Sequence, residues 1–423
     1  MTHKRQPWPR SFVALWAATA ATNLTDGVVK IGLPLVAVSL TDSLGAVAAV
    51  TALMTLPWLL FSLPAGVVAD RVDRRRLMVV LNIVRVLVSI VMVLLITTDA
   101  LTLPLLYVSV FALGTCEAFI DTTRMSVVQM VVPRTQLERG YGRLTATETV
   151  TNEFAGPPLG GALAGLSLAL VMGWGSIGYL LAAVALMLMV GTYRPTARED
   201  PAHGLGRPSV AHEIGQGLRY VWEQRTLAVL LAAAGISSAC WAGWLAIMPA
   251  YALRGPLQLT TTGYGLLVGA LGVGGLIGAL STDRLRRLLG RRNLLIASLV
   301  AATAMMLAPA ATELTPLVVA GAVLGGIGAG AWNVGYSTMR ALVVPDEMMG
   351  RYSGVSRLVS FGAMPLGAAI TGTIGDLATP RWAFAAATAG MLFAVTLVWV
   401  AVTTVRIDEL EQTAAAPEDA RSS

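Results

Sequence analysis

The chain has 423 residues, of which 55% are hydrophobic and only 13% charged. A soluble protein of this length could not cover its surface with so few charges, so composition excludes that class and indicates a polytopic membrane protein. The formal net charge of +6 does not call for a nucleic-acid partner, because the arginines cluster in short loops between apolar runs, where they set membrane topology. Lys4 and Lys30 are the only lysines. Cys116 and Cys240 each lie inside an apolar run, so no disulfide framework is expected and neither has a metal-ligand neighbour. His3, His203 and His212 fall outside the apolar runs, which leaves carboxylates as the groups for any proton chemistry within the membrane.

A membrane-spanning helix needs roughly 20 apolar residues. On that measure the sequence predicts an all-α protein with about twelve spans, at about 11–39, 46–69, 77–97, 102–131, 140–167 and 174–192, then 226–251, 263–281, 293–311, 315–344, 352–375 and 382–405. Ala18-Thr-Ala20 faintly resembles a signal cleavage site, but the apolar character runs well past it, so the first span is expected to stay uncleaved. Arginines at 71, 74, 75, 76, 134, 139, 194, 198, 284, 286, 287, 291, 292 and 351 fall on one side of these spans, with little beyond Arg254 and Arg381 on the other. The positive-inside rule then places both termini and the central linker in the cytoplasm.

The expected organisation is a six-helix bundle at 1–192, a linker at 193–225, a second bundle at 226–405 and a tail at 406–423. Within the linker, Ile214, Leu218, Val221 and Trp222 share one face of the stretch Ala211–Arg225, the pattern of an amphipathic helix on the inner surface. The acidic, Ala-rich tail is expected to be disordered. The halves echo one another. Leu103-Pro104-Leu105 recurs as Thr315-Pro316-Leu317, Val131-Val-Pro133 as Val343-Val-Pro345, Asp70-Arg71 as Asp283-Arg284, and Pro158-Leu-Gly160 as Pro365-Leu-Gly367, in one order and at offsets of about 210 residues. Repeated halves joined by a cytoplasmic linker are an architecture of alternating-access carriers, which hold a substrate near the midplane.

Ionisable groups at membrane depth are expensive and usually functional. The first span carries Asn23, Asp26 and Lys30. Asp26 and Lys30 are i and i+4, so pairing on one face is expected to lower their burial cost. The fourth span carries Glu117, Asp121 and Arg124, with Glu117 and Arg124 on nearly one stripe. The fifth carries Glu148, Asn152 and Glu153, and Arg124 is a plausible partner for Asp121 or Glu148. A desolvated carboxylate can load and release a proton near neutral pH, which makes Asp26, Glu117 and Glu153 the leading proton carriers, against the alternative of a packing network. Directly after Glu153 comes Gly156-Pro157-Pro158-Leu-Gly160-Gly161. The prolines remove backbone donors and the glycines allow a neighbouring helix close, so a bend or tight contact is expected there. The second half is nearly free of acids within its spans. It offers Asn333 with Trp241, Trp244 and Trp332 as cavity candidates, the indoles serving either to stack on a substrate or to pack and anchor helices. Arg340 and Arg357 are expected nearer a cytoplasmic gate. The glycine-rich runs 269–278 and 325–330 sit in apolar helices and read as close-packing faces, not phosphate loops. No G-x-x-x-x-G-K-[ST] loop for nucleotide is present, and no catalytic cluster at the interface stands out.

Three stretches resemble the major facilitator superfamily, and the resemblance covers nearly the whole chain. Gly66-Val-Val-Ala-Asp70-Arg71-Val-Asp73-Arg74-Arg75-Arg76 matches the family's loop between helices 2 and 3, with a degenerate copy at Gly278 to Arg287 that keeps Asp283 and Arg284. Gly156 to Gly161 matches the helix-5 motif associated with exporters. Val344-Pro345-Asp346-Glu347-Met-Met-Gly350-Arg351 resembles a loop of the drug/proton antiporter branch that includes macrolide-efflux-like and enterobactin-exporter-like proteins. The resemblance implies the major facilitator fold and a non-enzymatic secondary transporter in the bacterial cytoplasmic membrane. It implies proton-coupled efflux of a small amphipathic compound, such as a drug, antibiotic or siderophore-like metabolite. The partners implied are that substrate, protons and anionic lipid headgroups around the Arg cluster, with no cofactor, no metal and a monomeric state. An importer of the same fold is the alternative, and a non-transporting membrane protein a further one. In the family Asp70 acts as a conformational latch against a helix N-terminus, here the one starting near Arg351 and Tyr352, a contact that helix dipoles favour. One departure stands out. Many drug exporters carry an Arg four residues before the helix-4 glycine, whereas Gly114 is preceded at that spacing by Val110, so a relay built on that Arg is not expected here.

Overall fold

The computed structural model describes residues 8–194, 218–222 and 224–401, apart from the side chains at 62–63, 138, 225, 346–347 and 350–351. The expected amphipathic linker helix lies mostly outside the described residues, although 218–222 are helical. The expected disordered tail and the three histidines also lie outside them. Every regular element among the described residues is helical. The elements are α1 (Arg10–Leu40), α2 (Leu44–Ala69), α3 (Arg74–Thr97), α4 (Leu103–Val131), α5 (Leu137–Glu148), α6 (Gly156–Leu166), α7 (Leu168–Met187), α8 (Arg225–Leu253), α9 (Thr261–Ala311), α10 (Thr315–Val343), α11 (Asp346–Leu377) and α12 (Pro380–Ala401).

Ten of the described helices are long and apolar enough to cross a membrane. Two more spans come from irregular elements. A π turn at Thr149–Ala155 joins α5 to α6 into one broken rod. The 51-residue α9 contains two spans that meet at Gly290, whose φ of 76° and ψ of 169° break the helix. That backbone conformation is open essentially to glycine alone. The fold is therefore an all-α polytopic membrane fold with twelve spans among the described residues.

The chain forms two compact units, one of residues 1–198 with Pro249–Gly269 and the other of residues 199–248 with 270–423. In the first, α1 is the central helix and packs against α2, α4, α5, α6, α7 and the π turn. Its most apolar window is 78% buried, against 28% for α3. A helix apolar all round belongs inside a bundle. α3 is instead two-sided. Val80, Val84, Leu87, Val91 and Leu94 are exposed and form the stripe facing lipid, while Met78, Asn82, Arg85, Ser89 and Met92 are buried. Its polar residues point inward, as the absence of water in lipid demands.

In the second unit, α10 lies against both halves of α9 through glycines. A Cβ at Gly326 would stand 2.9 Å from Gly275 N, and one at Gly325 2.9 Å from Met305 Cγ. The two glycine-rich runs thus act as close-packing faces. A separate apolar cluster gathers Val221, Leu227, Leu231, Val344, Tyr352 and Val355.

Candidate functional site

The charged residues of the first unit gather around α1. Arg85, on the inner face of α3, donates from Nη2 to Asp26 Oδ1 and to Tyr179 Oη, the latter at 3.1 Å. Tyr179 of α7 donates its hydroxyl to the same carboxylate oxygen at 2.9 Å, and the guanidinium carbon lies 4.0 Å from the Tyr179 ring centroid. Asp26, Arg85 and Tyr179 are all at least 95% buried. An ion pair taken out of water survives only with such extra hydrogen bonds, and the cation–π contact adds about 2 kcal/mol when desolvated.

One turn along α1, Lys30 Nζ lies 3.2 Å from Glu117 Oε1 of α4. The expected Asp26–Lys30 pair is therefore replaced by two pairs between helices. Side chains four apart on α1 lie side by side, but each reaches an opposite charge on a neighbouring helix with better geometry. Both pairs line one small cavity, together with Val29, Leu33, Met54, Val110, Leu113, Gly114 and Tyr179. Glu117 does not join Arg124, its expected stripe-mate. Arg124 Nη2 sits 3.2 Å from Asp121 Oδ1 and 3.0 Å from Glu148 Oε2, bridging α4 to α5. Asn152 Nδ2 donates to Asn23 Oδ1 at 3.3 Å, and Asn23 donates to Thr19 O. Glu153 is exposed and forms no ion pair with a described residue. Four carboxylates so form a series of decreasing exposure, with Glu148 at 40%, Asp121 at 25%, Glu117 at 15% and Asp26 at 5%.

The Gly-Pro-Pro stretch has its bend and its tight contacts. Pro157 and Pro158 have no N–H for the carbonyls four residues back, and the helix widens ahead of them, Gly156 N–H bonding Thr151 O five residues back. That is a π bulge with an identifiable cause. A Cβ at Gly156 would stand 2.6 Å from Gly27 Cα, and one at Gly160 2.7 Å from Val28 O, so α6 lies backbone to backbone on α1. About 100° round the helix, a Cβ at Gly161 would stand 2.7 Å from Gly265 Cα, and one at Gly269 2.8 Å from Pro158 Cγ. These contacts join α6 to the part of α9 that belongs to the first unit.

The arginine-rich loop is less free than expected. Asp70 caps the end of α2 and pairs with Arg74 at 2.8 Å. Arg74 also donates to Ala69 O, and Arg75 donates to Leu186 O and Met187 O at the end of α7. Arg74 and Arg75 are thus held by the protein, while Arg71 and Arg76 are exposed. The basic groups at a helix C-terminus satisfy carbonyls that lack intrahelical donors, which explains why Arg75 turns inward. A Cβ at Gly66 would meet nothing within 4 Å among the described residues. In the second unit Asp283 pairs with Arg286 at 3.8 Å while Arg284 is exposed.

The cavity candidates of the second unit differ in burial. Trp244 is fully buried, Trp332 stacks on Tyr336 at 5.7 Å, Trp241 is half-buried and Asn333 exposed. The burial of Trp244 and the stacking of Trp332 fit the packing alternative. Arg340 is half-buried and Arg357 exposed. Sequence reasoning missed Arg85 and Tyr179. Arg85 had a signal, a lone cation at the middle of an apolar span with Asn82 and Ser89 on the same face. Tyr179 had none, since its role depends on where α7 packs.

Twelve spans, two helical units and a buried charge cluster around the first helix define a polytopic carrier of the major facilitator type. Residues 7–421 match the model of the transmembrane secretion effector family of that superfamily, and the chain belongs to it. The chain is 27% identical over 373 residues to the multidrug efflux pump Tap of Mycolicibacterium fortuitum, covering 84% of this chain and 86% of that protein. The fold is similar to a bacterial homologue of the human lysosomal transporter Spinster in its occupied inward-facing conformation, with a TM-score of 0.74 at 14% identity over 94% of this chain and 97% of that one. It is similar also to a bacterial homologue of the iron transporter ferroportin, with a TM-score of 0.71 at 17% identity over 92% and 98%. The protein is therefore a multi-pass membrane transporter and not an enzyme.

Proposed function

We propose that the chain is a proton-coupled exporter of a small amphipathic compound, working by alternating access in the bacterial cytoplasmic membrane with both termini inside. The observation that carries this reading is the shared cavity of the Arg85–Asp26 and Lys30–Glu117 pairs. A proton that reaches Glu117 takes the place of Lys30 at the carboxylate, and the freed ammonium lies one turn from Asp26 on the same helix. Binding of a proton thereby changes which groups are paired across α1, α3 and α4, which is the bistable element that coupling requires. The partly exposed acids Glu148 and Asp121 lead toward Glu117, and Arg124 holds them in place. Asp70 serves as the latch of the family's loop motif, Arg71 and Arg76 meet anionic headgroups, and the Gly156–Gly161 stretch shapes the moving contact. The 27% identity to a multidrug efflux pump supports export of a lipophilic or amphipathic compound, and the protein acts as a monomer.

The test is transport in inverted membrane vesicles under an imposed pH gradient, across a chemically diverse panel of labelled compounds. Uptake that requires an acidic lumen and dissipates the gradient supports the reading. Movement of a compound only in the opposite sense assigns an importer, and no movement with no effect on the gradient overturns proton-coupled transport.

A further inference from the structure

Asn82, Arg85 and Ser89 occupy one face of α3 at i, i+3 and i+7, each no more than 1% exposed. At about 1.5 Å per residue they span roughly 10 Å of the helix axis. Arg85 spends Nη2 on Asp26 and Tyr179. Its Nε and Nη1, together with Ser89 Oγ and Asn82 Oδ1, meet no partner among the described residues. Buried polar atoms left in that condition cost about 1–3 kcal/mol each and call for a reason. Opposite Ser89, α7 has a glycine, and a Cβ at Gly175 would stand 3.1 Å from Ser89 Oγ. Met78 and Met92, buried on the same face of α3, bound the row at either end.

We infer that Asn82, Arg85 and Ser89 form a binding site for ordered water behind Asp26, between α1, α3 and α7. The donor and acceptor types select water. Arg85 supplies only N–H donors, whereas Asn82 Oδ1 needs a donor. An anion satisfies the first and repels the second, while a water molecule serves both and typically makes two to four such bonds. These waters solvate the far side of Arg85, so the guanidinium keeps its charge while Asp26 changes partners. That role rests on the proton-coupled reading above, whereas the hydration site itself does not. The charged and titratable groups facing Asp26 are Lys30 of α1, Arg85 of α3, Glu117 and, further off, Asp121 and Arg124 of α4, and Tyr179 of α7. Lys30 is felt at Glu153 of the π turn, and α2 and α6 contribute no titratable side chain.

The site is tested by radiolytic hydroxyl labelling of the full chain in nanodiscs, in water enriched in heavy oxygen. Tyr179 and Tyr264 are equally buried, at 1% exposure; Tyr179 adjoins the proposed water and also lines the Asp26–Glu117 cavity, so the plug variants, which lie on the α3–α7 side, decide which of the two supplies the label. Tyr179 should take up label several-fold more than Tyr264, and Ser89→Val, which replaces the unpartnered hydroxyl by a methyl group, should remove the difference. Gly175→Ala provides an independent plug should Ser89→Val fail to fold. Equal labelling of the two tyrosines in the wild type overturns the water site. In transport, both plugs should move the pH midpoint by about one unit, a tenfold change in proton concentration, with substrate affinity at fixed pH unchanged. An unmoved midpoint overturns the coupling role. A wild type whose transport ignores pH defeats the proton-coupled reading instead and leaves the labelling result standing.

Discussion

Replacing Arg85 by leucine strips a 95%-buried Asp26 of its cation. Breaking a buried pair by removing one partner costs about 3–5 kcal/mol, because the remaining charge stays desolvated. Tyr179 retains its hydrogen bond to the carboxylate at 2.9 Å, which offsets about 1 kcal/mol of the damage and no more. The cation–π contact goes with the guanidinium. Arg85→Leu should therefore lower the folded-to-unfolded ratio roughly a hundredfold to a few thousandfold, since each 1.4 kcal/mol is about a factor of ten. The double variant Arg85→Leu with Asp26→Asn removes both charges and should recover most of the loss. The measurement is a denaturant titration of detergent-purified wild type, both single variants and the double, read as a double-mutant cycle. A control is Arg286→Ala, whose ion pair with Asp283 is exposed on both sides, at 39% and 82%, and which should cost about 1 kcal/mol or less. If Arg85→Leu costs no more than Arg286→Ala, or if Asp26→Asn fails to rescue it, the pair does not hold the bundle together as argued.

Four further outcomes follow from the geometry. Glu117→Gln and Lys30→Met should each abolish or flatten the pH dependence of transport in vesicles while costing about 1–3 kcal/mol, because Lys30 is 40% exposed but Glu117 only 15%, between an exposed pair and a buried one; transport with wild-type pH dependence in both would remove this pair from coupling. Gly156→Val should reduce folded protein and transport together, since its Cβ lands 2.6 Å from Gly27 Cα and overpacking costs about 1–3 kcal/mol or more. Gly66→Ala meets open space among the described residues and should hold or raise stability by up to the helix-propensity gain of about 1 kcal/mol, which size-exclusion profiles after heating can check. Gly290→Ala should destabilise the chain by about 1–3 kcal/mol, because φ of 76° with ψ of 169° is strained for any residue with a Cβ; a wild-type melting curve would contradict that backbone.

The sequence by itself determined the class, the spans and the bend. Twenty-residue apolar runs admit one structural answer in lipid, since every backbone group must be bonded within its own helix. The Pro157–Pro158 pair removes donors wherever that helix is placed, so a defect before it was readable, and the π turn at Thr149–Ala155 is its form. The intramembrane acids were also readable, because a carboxylate among valines and leucines is conspicuous in one dimension. Partnership was not readable. Helical periodicity says which residues of one helix share a face, and on that ground Asp26 went with Lys30. The choice among partners depends on which helices lie beside α1, and the tertiary structure put Arg85 and Tyr179 against Asp26 and Glu117 against Lys30. The same holds for Arg75, which reads as a free surface charge until the end of α7 is placed beside it. Local chemistry fixes what each helix must do with its own backbone, while pairing of charges between helices is settled only by distance and burial, and those exist only once the chain has packed.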